Sequence, residues 1–343
     1  MRVLIIGAGA IAYRHAAACR DLEGADLVAV CDVKQAAADA LADRFEVRAR
    51  YSDVTSLLAQ ETADVAVIAT WGAYHAEVAE QVCRSGRVRA ILCEKPLAMD
   101  ARQAEDIFRV AAESNVLLAE AFRLRSQPIH HRAIELMRAG RIGDVRHVRN
   151  AMMWPTRPED KDPERNWRYN KAVGGGVTYD IGCYCINQLR WAMGSEPESV
   201  FATGRWGATG VDEHVVAVAS FSDERTAEWS VSWQAGPLHM CEVVGSAGTL
   251  RIQNAWGDGP NTATVLEIVD SERNRTVEEF PPTDQFWLQL AHMQECLEQG
   301  TPHRIPPADS IAQMRVIDAV YESLRSGRSA RPGEAVAAAA GEL

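Results

Sequence analysis

Short apolar runs alternate with stretches of helical periodicity over the first third of the chain. The apolar runs are rich in Val, Ile, Leu and Ala, and the strands that they predict occupy residues 2–6, 27–31, 64–70, 89–96 and 115–122. The helical stretches between them cover residues 11–22, 35–45, 73–85 and 100–114. Strands that alternate with helices predict a parallel sheet with crossover helices, which is a doubly wound α/β arrangement.

The pattern changes after this region. Further helical stretches are predicted at 128–138, 179–193, 284–298 and 309–326. From Ser199 to Phe280, one run after another alternates apolar and polar residues, with turns between them. This alternation predicts an antiparallel sheet with one open face. We therefore expect an N-terminal Rossmann doubly wound domain over residues 1–122. A C-terminal α+β domain with a large open antiparallel sheet would follow over residues 123–343.

A glycine-rich turn directly follows the first predicted strand. It reads GAGAIA and fits the pattern G-x-G-x-x-A. Gly7 permits a tight turn, Gly9 lets the backbone approach a pyrophosphate, and the small Ala12 lets the helix pack on its strand. The start of the helix, at Ala10 and Ile11, offers backbone N–H groups and a partial positive charge to phosphates. The turn therefore predicts a dinucleotide site.

Asp32 ends the second predicted strand, 20 residues after Ala12. A carboxylate at this position can accept hydrogen bonds from the ribose hydroxyls of NAD, and it would repel the 2′-phosphate of NADP. We expect NAD as the cofactor. Lys34 lies close enough along the chain to leave NADP open as an alternative.

Composition and charge exclude several other classes of function. The chain has 343 residues and a formal net charge of -11, which gives no basic face for a nucleic acid. No apolar run approaches the length of a membrane span, and the N-terminus lacks the features of a secretory signal. The eight cysteines are scattered, as in a reducing compartment, so we expect a cytoplasmic protein. The nine histidines do not cluster at ligand spacing, so we expect no metal.

Two further segments carry residues suited to proton transfer. In LCEKPLA, Lys95 ends a predicted strand and can present an ammonium group, which Glu94 can help to hold. In GGGVTYDIGCYCINQLRW, three glycines precede a helix on which Asp180, Tyr184 and Asn187 follow at i, i+4 and i+7. These three would share one helix face. An acidic and phenolic stripe would be costly to bury for packing alone.

With these segments the sequence resembles the Gfo/Idh/MocA oxidoreductases. The resemblance rests on GAGAIA, CEKPLA, NWRYN…GGGVTYDIGCY and the tail helices, in that order. It implies that Lys95 is the lysine of the family's E-K-P motif and that Pro96 follows a cis bond. It also implies that Asp180 and Tyr184 occupy the D-x-G-x-H positions, with Tyr184 where inositol dehydrogenases have histidine. Tyrosine there is similar to the branch that acts on sugars, dihydrodiols and deoxysugars.

The catalytic hypothesis is therefore a sugar-like or polyol substrate whose hydroxyl gives its proton to Tyr184. Tyrosine ordinarily titrates near about pH 10, so the Lys95 ammonium would stabilise the phenolate. Asp180 would bind a substrate hydroxyl or orient Lys95.

Other residues are candidate contacts. Thr70, His75 and Glu94 are assigned to the cofactor, although His75 could instead bond locally on its helix. Trp167, Arg168 and Arg123 are assigned to the substrate. Trp71 stands where relatives commonly have proline, so this side of the cofactor site would have a different shape.

Two other functions remain open. One is an NADPH-dependent ketosugar or imine reductase, and the other is an NAD-binding sensor without catalysis. We also expect a homodimer or homotetramer that forms through the C-terminal sheet. The reason is that Trp229, Trp233 and the run VVAVASF would otherwise lie on an exposed face, unless they are buried inside the domain.

Overall fold

The computed structural model describes residues 1–257 and 263–334. The chain divides into two compact units. The first contains Met1–Gln127 and Asp284–Ile311, and the second contains Pro128–Thr283 and the chain from Ala312 onward. Residues 284–311 thus pack with the first unit, although the predicted division placed them in the second domain. The division at 122/123 itself stays a prediction.

The first unit contains a six-stranded parallel sheet in the order β3-β2-β1-β4-β5-β6. Its strands are β1 (Arg2–Ile6), β2 (Asp26–Cys31), β3 (Ala49–Tyr51), β4 (Ala63–Ile68), β5 (Val88–Cys93) and β6 (Leu117–Glu120). The crossover helices are α1 (Ala10–Asp21), α2 (Gln35–Arg44), α3 (Val54–Gln60), α4 (His75–Ser85) and α5 (Ala101–Glu113). The strand order reverses between β1 and β4, and ligands bind at this switch point in such sheets.

A later segment completes the core of the first unit. Ala12, Ala16 and Cys19 form a shallow apolar face on α1. Leu290 and Met293 pack against the same core and are fully buried. They belong to the helix of residues Gln285–Gln299. Because small side chains leave α1 close to its neighbours, this helix can pack directly against it.

The second unit contains an eight-stranded sheet in the order β14-β13-β12-β11-β7-β10-β9-β8. Its strands are β7 (Val145–Met153), β8 (Ser199–Trp206), β9 (Asp212–Ser220), β10 (Thr226–Ser232), β11 (Leu238–Gly245), β12 (Gly248–Gln253), β13 (Thr264–Asp270) and β14 (Arg275–Phe280). Every neighbouring pair is antiparallel except β7 and β10, which run parallel. This unit also contains α6 (Pro128–Arg138) and α7 (Cys183–Met193). Helix α8 (Gln285–Gln299) belongs to the first unit, and α9 (Pro307–Ser326) spans the boundary at residues 311 and 312.

The predicted fold class is confirmed. The expectation that Trp229 and Trp233 lie on a sheet face covered by a second subunit is not confirmed. Trp229 and Trp233 are fully buried within this chain, on the inner side of the sheet. Phe201, Val216 and Val218 are exposed instead. Trp229 of β10 pairs with Ala217 of β9, and Val216 and Val218 on either side of Ala217 point to the opposite face of the sheet. Self-association through this sheet therefore stays a prediction that these tryptophans do not support.

Among the helices of the described residues, none combines the length and apolarity that crossing a bilayer requires.

Candidate active site

The turn after β1 is shaped for the close approach of a phosphate group. Gly7 has a φ of +98°, and a Cβ there would lie 2.5 Å from the carbonyl carbon and oxygen of Ala69. A Cβ on Gly9 would meet no atom within 4 Å, so this side of the turn faces open space. Helix α1 begins without a side-chain cap and without an acidic residue in its first turn. Its first N–H groups can therefore bind a diphosphate, and the turn fits a dinucleotide.

Asp32 holds this turn in place. One carboxylate oxygen accepts the backbone N–H of Ala8 at 2.7 Å, and the other accepts that of Lys34 at 2.8 Å. Each oxygen has two lone pairs, so the carboxylate can still accept hydrogen bonds from ribose hydroxyls. Asp32 thus serves the shape of the turn as well as its predicted role toward the ribose.

His75 connects two loops at the same edge of the sheet. Its Nδ1 lies 2.9 Å from the carbonyl oxygen of Pro96, and its Nε2 lies 3.1 Å from that of Thr70. The ring is buried, and burial lowers its pKa below the ordinary value. Both ring nitrogens lie within hydrogen-bond distance of backbone carbonyl oxygens, as the alternative expectation of local hydrogen bonds required. The contact between His75 and the cofactor stays a prediction.

Glu94 bonds to a residue that the sequence analysis missed. Its Oε1 lies 2.7 Å from Nε2 of His15, a buried residue of α1. Its Oε2 accepts the backbone N–H of Lys95 at 3.3 Å. Burial alone would raise the pKa of Glu94. The hydrogen bond and charge of His15, with the charge of Lys95, outweigh burial and leave this pKa below its ordinary value. Glu94 therefore fixes the Lys95 backbone, and the Lys95–Pro96 peptide is cis, as the resemblance implied.

Two other side chains define this edge of the first unit. Glu120 ends β6, and its Oε1 accepts the backbone N–H of Leu97 at 2.9 Å. Sequence reasoning missed this residue, although its place at the end of a neighbouring strand was a usable signal. Arg123, a predicted substrate contact, is buried and donates to the side-chain oxygen of Gln285 at 3.2 Å. Its contact with substrate stays a prediction.

In the second unit, the three glycines pack against the loop before them. The N–H of Gly175 donates to the carbonyl of Asn170, and the N–H of Gly176 donates to that of Arg168, each at 2.9 Å. A Cβ on Gly175 would lie 2.7 Å from both of these carbonyl oxygens. The glycines therefore allow backbone to approach backbone. This fixes the turn that carries Trp167 and Arg168.

Arg168 joins two of the predicted site residues. Its Nε donates to Oδ2 of Asp180 at 2.7 Å, and its guanidinium lies 5.0 Å from the ring centroid of Trp167. Asp180 is buried, whereas the Arg168 side chain is 38% exposed. The sequence analysis named all three residues but did not pair them. They form a polar group with an aromatic face, which suits a polyhydroxylated ring.

The helix that carries Tyr184 differs from the prediction at its start. Residues Thr178–Gly182 form one π-helical turn, and α7 begins only at Cys183. The prediction of one α-helix over 179–193 is therefore wrong in its first turn. Single π-helical turns occur frequently at functional sites. Asp180, Tyr184 and Asn187 are all buried, as the stripe interpretation required.

Each unit thus assembles part of the predicted site. The first brings together the turn of Gly7, Gly9, Ala10 and Ile11 with Asp32, and it joins Thr70 and His75 to the E-K-P segment. The second brings Trp167 and Arg168 to Asp180. Within residues 1–257 and 263–334, no group of three or more His, Cys, Asp and Glu side chains is arranged to hold a metal ion.

Comparison with known proteins assigns the family. Residues 1–122 match the model of an oxidoreductase family with an NAD-binding Rossmann fold, and residues 130–251 match that of the GFO/IDH/MocA C-terminal domain. The chain belongs to the Gfo/Idh/MocA family. This confirms the resemblance, and the chain is an NAD(P)-dependent oxidoreductase.

Several members of the Gfo/Idh/MocA family are similar over most of their length. A D-xylose 1-dehydrogenase (NADP(+)) of Haloferax volcanii is 28% identical, over 94% of this chain and 97% of the relative. A trans-1,2-dihydrobenzene-1,2-diol dehydrogenase of Xenopus laevis is 30% identical, over 79% and 80%. The crystal structure of a 3-ketoreductase from Actinomadura kijaniata, in complex with NADP and TDP-benzene, has a TM-score of 0.86 and 26% identity, over 94% and 98%.

Proposed function

We propose that this protein catalyses the NAD-dependent oxidation of a hydroxyl group on a sugar, sugar derivative or related polyol, or the reverse reduction. The observation that carries the proposal is the hydrogen bond from the partly exposed Arg168 to the buried Asp180, one turn before the buried Tyr184. The named relatives support it, because a xylose dehydrogenase, a dihydrodiol dehydrogenase and a ketoreductase all interconvert a carbinol and a carbonyl.

Tyr184 is the proposed acid and base. During oxidation its phenolic oxygen takes the proton of the substrate hydroxyl, and during reduction the phenol returns a proton to the carbonyl oxygen. Lys95 stabilises the phenolate with its ammonium group. Asp180 accepts a hydrogen bond from a neighbouring substrate hydroxyl, and Arg168 holds Asp180 in place. The nicotinamide cofactor, when bound, supplies or accepts the hydride.

The choice of NAD follows from Asp32, whose carboxylate would repel a 2′-phosphate. One observation favours a second candidate, an NADP(H)-dependent ketosugar reductase: two of the relatives carry NADP in their names or complexes. The two candidates share the same proton chemistry at Tyr184. They differ in the cofactor that gives the higher kcat/KM.

The test is a substrate screen with matched variants. Aldoses, inositols, amino sugars and dihydrodiols are each incubated with NAD⁺ and NADP⁺, and formation of reduced nicotinamide is followed by absorbance. Tyr184→Phe and Lys95→Ala are compared with Tyr51→Phe. Tyr51 lies on the edge strand β3, and its hydroxyl donates to the carboxylate of Glu61. We expect kcat to fall about 10²- to 10⁴-fold in Tyr184→Phe and to persist in Tyr51→Phe.

Each outcome has a clear meaning. Full activity in Tyr184→Phe would rule out the proposed acid and base. Binding of NAD⁺ without turnover of any compound, in either direction, would support the sensor function instead. A higher kcat/KM with NADP⁺ than with NAD⁺ would support the reductase.

A further inference from the structure

A buried carboxylate that the proposed mechanism does not use lies at the start of β9. Asp212 is 1% exposed. Its Oδ2 accepts the backbone N–H of Thr178 at 2.8 Å, and its Oδ1 accepts the hydroxyl hydrogen of Tyr321 at 2.9 Å. Within the described parts of the chain, no Lys, Arg or His forms an ion pair with it. Burial raises its pKa, although the hydrogen bonds from Thr178 and Tyr321 act in the opposite direction.

The partner of Asp212 is the first residue of the π-helical turn. The first N–H groups of a helical segment have no acceptor within that segment. Asp212 supplies such an acceptor to Thr178, and Asp180 follows two residues later in the same turn. The backbone N–H of Asp180 donates in turn to the carbonyl of Gly176 at 3.0 Å. The first N–H group of the turn thus bonds to a residue 34 positions away along the chain.

The glycine before this turn is also matched to the carboxylate. Gly176 has a φ of +125°, and a Cβ there would lie 2.1 Å from Oδ1 of Asp212. The carboxylate thus occupies space that any other residue at position 176 would need. On its other side, Tyr321 holds the carboxylate by its hydroxyl, and the ring of Tyr321 lies 5.0 Å from that of Tyr179, centroid to centroid.

Burying a carboxylate without a cationic partner is costly, so we expect the two hydrogen bonds that Asp212 accepts to contribute to the position of the turn. We propose that Asp212, held by Tyr321, is a positioning residue that fixes the π-helical turn and so sets the positions of Asp180 and Tyr184 for proton transfer. The inference rests on the proposed function for its catalytic part. The anchoring itself is independent of that function.

The experiment compares four variants of the full chain. Asp212→Ala removes both acceptors, Tyr321→Phe removes the hydroxyl that holds the carboxylate, and Asp212→Asn keeps an acceptor for Thr178. The control is Ser323→Ala. Ser323 is buried and lies on α9, as Tyr321 does, and its hydroxyl oxygen accepts the backbone N–H of Ala202 at 2.8 Å. This control removes a hydrogen bond of the same kind away from the turn.

Two measurements are made on each variant. Hydrogen exchange is followed by mass spectrometry in peptides that cover residues 176–187. We expect exchange about 10-fold faster in Asp212→Ala than in Ser323→Ala. With the substrate that the screen identifies, we expect kcat to fall about 10- to 100-fold in Asp212→Ala, with KM changing less and the Kd for NADH unchanged. Asp212→Asn should restore most of kcat.

The two proposals can fail separately. If the unchanged protein turns over no compound, the proposed function fails, and hydrogen exchange still decides whether Asp212 holds the turn. Exchange and kcat in Asp212→Ala that equal those of Ser323→Ala would overturn the inference. An equal loss of kcat in Asp212→Asn and Asp212→Ala would also overturn it, since the hydrogen bond would then be irrelevant. If Asp212→Ala does not fold, Tyr321→Phe gives the same comparison with a smaller change.

Discussion

The turn after β1 and the turn before α7 prepare a site in different ways. The first is made of backbone: Gly7 permits its shape, Gly9 leaves it open, and its acceptor Asp32 lies at the end of the neighbouring strand. The second is made of side chains: Asp180 depends on Arg168 from the preceding loop and on Asp212 from a distant strand. A site of backbone is thus specified by local spacing, whereas a site of side chains is specified by partners elsewhere in the chain.

The largest expected effect separates the two glycines of the first turn. Gly7→Ala places a Cβ 2.5 Å from Ala69 and requires a positive φ, so it should lower both stability and NADH affinity, the latter at least about 100-fold. A Cβ in Gly9→Ala would meet no protein atom within 4 Å, so the melting temperature should stay unchanged. The same Cβ would occupy the space in which the pyrophosphate approaches the backbone, so NADH binding should weaken. Calorimetry and NADH titration measure the two quantities. Equal melting temperatures in both variants would contradict the distinction.

The second prediction concerns the side-chain site. Arg168→Ala leaves the buried carboxylate of Asp180 without its 2.7 Å partner. We expect kcat/KM to fall about 30- to 100-fold and the free energy of unfolding to fall by about 1–2 kcal/mol. NADH affinity should not change, because the nucleotide turn belongs to the other unit. Arg165→Ala is the control, since Arg165 is an exposed residue of the same loop. A matching loss of NADH affinity would show that the two sites are not separable in this way.

The third prediction uses pH to compare the units, because two buried groups respond with opposite sign. In the first unit, burial and the charge of His292 lower the pKa of His303 to about 3. The unfolded chain binds this proton below about pH 6.5, so the folded state loses stability as pH falls, by about 2 kcal/mol at pH 5. In the second unit, the pKa of Asp212 is raised. The unfolded chain releases that proton first, so stability falls as pH rises above about 4.

The measurement is the melting temperature of His303→Gln and Asp212→Asn between pH 4 and 8, relative to the unchanged protein. His303→Gln should gain stability toward acid, and Asp212→Asn should gain it toward neutral pH, by a few degrees in each case. If the change in melting temperature followed pH in the same direction in both variants, the predicted opposite response of the two buried groups would be wrong.

The smallest expected effect is a change of cofactor preference. Asp32→Ser removes the negative charge that would repel a 2′-phosphate and keeps one hydrogen-bond acceptor for the turn. We expect the ratio of kcat/KM for NADP⁺ to that for NAD⁺ to rise about 10-fold. Asp43→Ser, which removes an exposed carboxylate on α2, should leave the ratio unchanged. A ratio that is insensitive to Asp32→Ser would mean that the carboxylate serves only the turn.

The sequence predicted what depends on neighbours along the chain. The GAGAIA turn and the alternation of strands and helices in the doubly wound sheet follow from local spacing, and the resemblance added the role of the E-K-P segment. Alternation also showed that Trp229 and Trp233 share a face, but it could not show that this chain buries that face itself.

The sequence could not predict contacts between distant residues. His15 and Glu94 are 79 positions apart, and nothing in either segment indicates the other. The π-helical turn was missed because helical periodicity alone does not distinguish it from the first turn of an α-helix. Its N-terminal N–H is accepted by Asp212, far along the chain.

The return of α8 to the first unit has a consequence for synthesis on the ribosome. The core face of Ala12, Ala16 and Cys19 is completed by Leu290 and Met293, and residues 128–283 must be translated between them. At about 5–20 residues per second this takes roughly 8–30 s. During that interval the nascent nucleotide-binding sheet lacks one of its covering helices. The apolar side of α1 stays uncovered by α8 until then, so the unit reaches its final stability only when most of the protein has been made.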